Sequence, residues 1–254
     1  FSAETQFNNN DSIRFFNTIQ HNISASIFFP KLWLLPKLQQ STKLRNAKTA
    51  LTANYIYEVN QDFNRNIFAL SYNYIFAKDL YSYTVTPLEV SYNKTDPRRN
   101  FFAFINNPLD SLYYQNLFTP SFITALRGAF IYNDAPLRKD KSFFFARLIA
   151  ESSGNVLAAV NAIGNQNPNS QGYYEVLGVR FAQYAKIDID IRQTKQLSND
   201  QYFAYRLHTG VAFPYGNSVI IPFERRYFIG GANSIRGWRP RSIGPGSSQT
   251  GINE

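Results

Sequence analysis

Tyr184-Ala185-Lys186-Ile187-Asp188-Ile189-Asp190-Ile191-Arg192 alternates residue by residue between two kinds of side chain. Ala185, Ile187, Ile189 and Ile191 share one side of a two-residue period. Tyr184, Lys186, Asp188, Asp190 and Arg192 share the other. A helix would scatter both sets around its circumference, so the spacing predicts a strand with one apolar and one polar face.

The same period spreads outward in both directions. Downstream, Phe203, Tyr205, Leu207, Val211 and Phe213 oppose Arg206 and His208. Upstream, Phe144, Ala146, Leu148 and Ala150 oppose Arg147 and Glu151, and Phe122, Leu126, Phe130 and Tyr132 oppose Arg127. Leu88, Val90 and Tyr92 alternate with Glu89, Ser91 and Asn93. Phe68, Leu70, Tyr72, Tyr74 and Phe76 alternate with Ala69, Ser71 and Asn73. Leu51, Ala53, Tyr55, Tyr57 and Val59 alternate with Thr52, Asn54, Glu58 and Asn60. A further strand is expected over residues 21–29 and a stub over 1–7, giving eight strands plus the stub with no helix between them. Many of these segments run roughly nine to thirteen residues, against about five or six in soluble domains. Tilted membrane-spanning strands need about nine to eleven.

Composition narrows the class. Aromatic residues make up 17% of the 254, with 23 Phe and 17 Tyr, and charged residues only 17%. Aromatic girdles and uncharged polar lumens produce that mix in transmembrane β-barrels; a secreted β-sandwich shares it. No apolar run approaches the length of a transmembrane helix, since Pro30, Lys31, Pro36 and Lys37 interrupt the most apolar stretch. With no Cys there is no disulfide framework, thiolate metal site or Cys nucleophile. The net charge of +9 is scattered over loops rather than gathered into a basic stripe, which argues against nucleic acid.

Connection lengths alternate. Those over residues 152–178 and 95–121 are long, and those over 195–200 and 77–80 are short, as in outer-membrane barrels. Two connections break the rule. That over 61–65 is short where a long one is expected, and that over 30–46 is long where a short one is expected. Residues 152–172, rich in Asn, Gly and Ser, are expected as loop.

Catalytic constellations are weak. His21 and His208 lie far apart in sequence, and no nucleophile elbow, phosphate loop or zinc spacing occurs. Asp188 and Asp190 share a strand face, as paired acid/base carboxylates would, but Lys186 and Arg192 flank them. That arrangement reads as a charge-balanced wall. If the sheet lies in a membrane, the polar faces must line a lumen, because charge facing lipid is costly. Otherwise they face bulk water.

The second informative stretch is Phe223-Glu224-Arg225-Arg226-Tyr227-Phe228-Ile229-Gly230-Gly231-Ala232-Asn233-Ser234-Ile235-Arg236-Gly237-Trp238-Arg239-Pro240-Arg241-Ser242-Ile243-Gly244-Pro245-Gly246. It carries five arginines and no lysine. Gly230-Gly231 permits left-handed backbone or close approach. Arg236 offers a planar fork suited to bidentate pairing with a carboxylate. Long loops with an internal shape of their own are usually functional.

Gly230-Gly231, Ile235-Arg236-Gly237-Trp238 and Ile243-Gly244-Pro245 resemble the signature of the BamA/TamA family of outer-membrane assembly factors. The flanks look most like the Bacteroidetes-type branch, which includes TamL-like proteins. The family tetrad often ends in Phe or Tyr where Trp238 stands here. The resemblance implies an all-β fold: an antiparallel transmembrane β-barrel of about sixteen strands, of which this chain supplies roughly eight or nine. Residues 1–254 would then be part of a C-terminal barrel domain, without its periplasmic polypeptide-transport-associated domains and last strands. It implies that the loop folds back into the lumen, with Arg236 pairing an acidic residue on a later strand. It also implies a non-enzymatic role without cofactor or metal in the bacterial outer membrane: insertion of β-barrel proteins, or translocation and assembly of envelope proteins. Partners would be unfolded outer-membrane protein clients, outer-membrane lipids and lipopolysaccharide, and other assembly-machine subunits, with no nucleic acid. A passive outer-membrane porin is the alternative that shares the strands but does not require the motif loop.

Overall fold

The computed structural model describes residues 2–4, 18–34, 44–59, 63–97, 119–135, 142–164, 167–231 and 234–238. One antiparallel sheet dominates. Its nine strands lie in the order β1 (Ser2–Glu4), β2 (Thr18–Phe29), β3 (Arg45–Val59), β4 (Phe63–Lys78), β5 (Tyr81–Pro97), β6 (Ser121–Asn133), β7 (Phe143–Ser153), β10 (Tyr184–Gln196) and β11 (Tyr202–Pro214). Each pairs with its sequence neighbour, except that β7 pairs with β10 across a long insertion. Strands β2 to β7, β10 and β11 run 11 to 17 residues, longer at the top than the alternation alone marks out. The sheet is not closed, as a partial barrel requires.

The two faces are inverted relative to a soluble protein. Arg65, Glu89, Glu151, Asp188 and Asp190 are buried, while Phe68, Leu70, Leu88, Leu126, Leu148 and Ile187 are exposed. Register makes this one continuous surface. Leu148 pairs with Phe130 on one side and Ile189 on the other, and Ile187 with Ala150 and Val211. In water such an apolar band would be an aggregation hazard; in hydrocarbon it is the solvated face. The inward face holds the polar groups that lipid cannot solvate.

One irregularity preserves this division. The register shifts on both flanks of β5, leaving Pro87 without a ladder partner on either side. Proline has no N–H to give, so a bulge is where a barrel strand tolerates it. The bulge also lets Thr86 and Glu89, three residues apart, both point inward, each buried at 3% and 8% exposure. Thr86 donates to Asn73 Oδ1 at 2.7 Å.

Between β7 and β10 the chain departs from expectation. Residues 152–172 contain a helix, α1 (Asn155–Ile163), followed by the two-stranded hairpin β8 (Glu175–Val176) and β9 (Val179–Arg180). The run Leu157-Ala158-Ala159 has high helix propensity, and the Asn residues on either side obscured it.

The inversion yields a test. Leu148→Lys is expected to cost about 2–4 kcal/mol in urea unfolding of the full-length protein in phospholipid vesicles, whereas the inward-facing Ile149→Lys costs far less. Equal costs would mean that the apolar face does not meet lipid.

Candidate functional site

After β11 the chain does not leave the sheet. It turns at Gly216 and Asn217 and runs back over the polar face. Asn217 is buried and saturated: its Nδ2 donates to the carbonyls of Tyr174 and Phe181, both at 2.9 Å, and its Oδ1 accepts from Tyr174 N at 2.8 Å. Arg180 Nε donates to Asn217 O at 2.7 Å. These bonds tie the β8–β9 hairpin to the base of the returning loop.

The loop then descends onto the wall through a 3-10 turn, Phe223–Arg225. Arg225 is the anchor. Its guanidinium bonds Glu89 of β5 and lies 3.6 Å from Glu151 of β7. Arg127 of β6 bridges the same two carboxylates, at 2.9 Å to Glu89 and 2.8 Å to Glu151. Tyr184 of β10, fully buried, donates its hydroxyl to Glu151 Oε1 at 2.5 Å. Lys186 Nζ donates to the Arg225 carbonyl at 2.8 Å, so the turn's backbone is held as well as its side chain. Burial opposes the Arg225 charge, but the carboxylates outweigh it and hold the guanidinium above its ordinary range. Two acids and three bases from four strands and one loop thus form a single knot. Charge-assisted, multiply bonded pairs of this kind are the strong ones.

The neighbours extend the grip. Phe223 lies under the Arg65 guanidinium at 4.5 Å. The Tyr227 ring takes the Lys186 ammonium at 4.3 Å, and its hydroxyl donates to the Ile187 carbonyl at 2.9 Å. Gly210 of β11 is what admits this ring: a Cβ there would collide with the Tyr227 ring atoms. Gly210→Ala is therefore expected to push Tyr227 off the wall and raise protease cutting within residues 215–238, with strand content unchanged by circular dichroism. Unaltered cutting would show that the ring does not rest there.

A second ion cluster lies along the wall. Asp190 is fully buried beneath three arginines. Arg206 reaches it through two bonds of 2.9 Å, Arg192 through bonds of 3.1 and 2.6 Å, and Arg147 at 3.5 Å. Arg147 also reaches Asp188 at 3.4 Å, where His208 Nε2 stands 2.7 Å from Oδ2. The Asp188/Asp190 pair is accordingly a saturated structural element of the wall, as its flanking charges foretold. No group of three or more His, Asp or Glu among the described residues is arranged to hold a metal.

The motif residues are placed as follows. Gly230 is buried, and Gly230 and Gly231 take φ of 104° and 89°, where a side chain would be strained. Gly231 N donates to Trp238 O at 2.8 Å, closing a small loop, and Trp238 N donates to Ile235 O at 3.1 Å around Arg236 and Gly237. The structure thus brings Gly230-Gly231 and the Ile235–Arg236–Gly237–Trp238 tetrad together. Ile235, Arg236, Gly237 and Trp238 are exposed, and Gly237 has open space around it. Ile243, Gly244 and Pro245 lie outside the described residues. Sequence reasoning weighted Arg236 and passed over Arg225 and Tyr227. The available signal was the pair of inward carboxylates, Glu89 and Glu151, which a cation from the loop could join.

These elements together make an inverted barrel wall with a loop that returns from its last described strand onto the polar face. An Omp85 superfamily domain matches residues 1–253. The chain belongs to the Omp85 superfamily. No curated protein matches it at a significant level. Omp85 membership carries the membrane reading of the two faces: Omp85 superfamily proteins reside in the bacterial outer membrane and serve outer-membrane protein assembly or translocation in general. They work with unfolded outer-membrane protein clients and accessory subunits.

Proposed function

We propose that this Omp85 chain is wall and brace of an assembly barrel, which inserts outer-membrane β-barrel proteins or translocates envelope proteins, without ATP or a cofactor. The supporting observation is the knot around Arg225, which fastens residues 223–227 to β5, β6, β7 and β10 at once. A barrel that must open its seam without losing its shape needs such a brace, because it keeps neighbouring strands in register. The unpaired edge at such a seam templates an incoming strand through backbone hydrogen bonds. Residues 1–254 are on this reading part of a larger barrel domain, and the tetrad around Arg236 extends the brace toward strands that follow. The flanks, Phe223-Glu224 ahead of the tetrad and Ser242-Ile243-Gly244-Pro245-Gly246-Ser247 after it, favour the Bacteroidetes-type, TamL-like branch.

The test is reconstitution. Full-length protein in liposomes is expected to accelerate folding of a urea-denatured small β-barrel client over empty liposomes, and Arg236→Ala is expected to reduce that acceleration. Large, steady single-channel conductance with no acceleration would instead mark a porin.

A further inference from the structure

The connection from β2 to β3 sits among short turns yet spans residues 30–44, and its described part explains why. Residues 31–34 lie back over the outward, apolar face. Thr49, Tyr74 and Phe29 share that face, since Phe29 pairs with Thr49 and Thr49 with Tyr74. Thr49 is fully covered: its hydroxyl donates to Lys31 O at 2.8 Å and accepts from Trp33 N at 2.8 Å. The Trp33 carbonyl accepts two phenols, Tyr72 at 2.9 Å and Tyr74 at 2.6 Å. Leu32 is buried against Ala47 and Tyr74.

Polar backbone on a barrel's outer wall must be satisfied internally, and here side chains of the wall supply the partners. What the strap leaves uncovered is apolar. Trp33, stacked on Phe29 at 5.2 Å, is 54% exposed, and Leu34 is 74% exposed. Leu34 has φ 72°, a conformation that costs a branched side chain energy. Lys31 is exposed beside them.

We propose that residues 31–34 form an interfacial anchor that takes phospholipid at the boundary between headgroups and acyl chains. The leaflet is the one on the short-turn side of the barrel. The strap continues the lipid-facing band without a break, and it ends in the residue types that settle at that depth: an indole, a leucine and a lysine able to reach phosphate. The proposal rests on the membrane-barrel reading above.

Lipid-depth quenching tests it. Full-length protein is refolded into phosphatidylcholine–phosphatidylglycerol vesicles carrying a spin label on the upper acyl chain or near the chain end. The Trp33 signal is the difference between parent and Trp33→Phe. It is expected to be quenched most by the upper label, while a tryptophan placed in the band by Leu148→Trp is quenched most by the lower one. A nitroxide at Leu34→Cys, in a background with any cysteine outside residues 1–254 replaced by serine, is expected to be accessible to oxygen and shielded from an aqueous nickel chelate. Trp33 quenched only by aqueous iodide, or by neither reagent because protein covers it, would overturn the anchor while Leu148→Trp upholds the barrel. Absence of lipid quenching at Leu148→Trp as well would overturn both.

Discussion

Arg225→Ala is expected to release the loop from the wall at a cost of about 3–5 kcal/mol, the penalty for stripping one partner from a buried ion cluster. Glu89 and Glu151 remain buried with Arg127 as their remaining direct ion pair, while Lys186 loses the carbonyl it held. The penalty falls on docking, because the strand ladders do not run through Arg225. Residues 215–238 should become accessible to protease and to membrane-impermeant reagents, and client folding should slow, while the barrel still migrates as a folded species on unheated gels. Arg225→Lys is expected to keep the charge and lose the two-carboxylate reach, giving an intermediate result. A loop as protected in Arg225→Ala as in the parent would show that the knot does not hold it.

Asp190→Ala is expected to weaken the barrel wall itself. It leaves Arg147, Arg192 and Arg206 pressed together over an empty site, joining β7, β10 and β11 by repulsion where they were joined by attraction. The cost lies toward the lower end of about 3–5 kcal/mol, since Arg192 and Arg206 retain contact with lumen water. It should appear as a lower urea midpoint for the whole barrel rather than as local loop exposure. Asp188→Asn is expected to cost less, because Arg147 keeps Asp190. Similar midpoints for parent and Asp190→Ala would mean that the arginines are held apart by water alone.

These two outcomes separate what was legible in the sequence from what was not. The wall was legible because a two-residue period records directly which side chains share a face: Asp188, Asp190, Arg192, Arg206 and His208 were all assigned to one face, and they meet there. Even the charge balance could be read, since acids and bases alternate across neighbouring strands. The bulge at Pro87 was hidden because Thr86 and Glu89 share a face only once the strand is broken there. Helix α1 was hidden by its Asn- and Gly-rich surroundings. The strap over residues 31–34 was visible only as a loop too long for its side, since nothing in Trp33 or Leu34 states that Tyr72 and Tyr74 will donate to the Trp33 carbonyl. The choice between Arg225 and Arg236 was equally closed to sequence: both are arginines of one aromatic-rich loop, and only the fold shows that the first arrives over Glu89.

The most direct test of the brace is to bridge it to the wall. Glu89→Cys with Arg225→Cys removes one acid and one base together, leaves Arg127 to Glu151, and adds two thiols to residues 1–254, which carry no cysteine. In whole cells a short bifunctional thiol reagent is expected to link the pair within folded, surface-located protein, and either single variant should give no link. Failure to link in folded protein, with the thiol at position 225 freely labelled from outside the cell, would contradict the placement of this loop in the lumen.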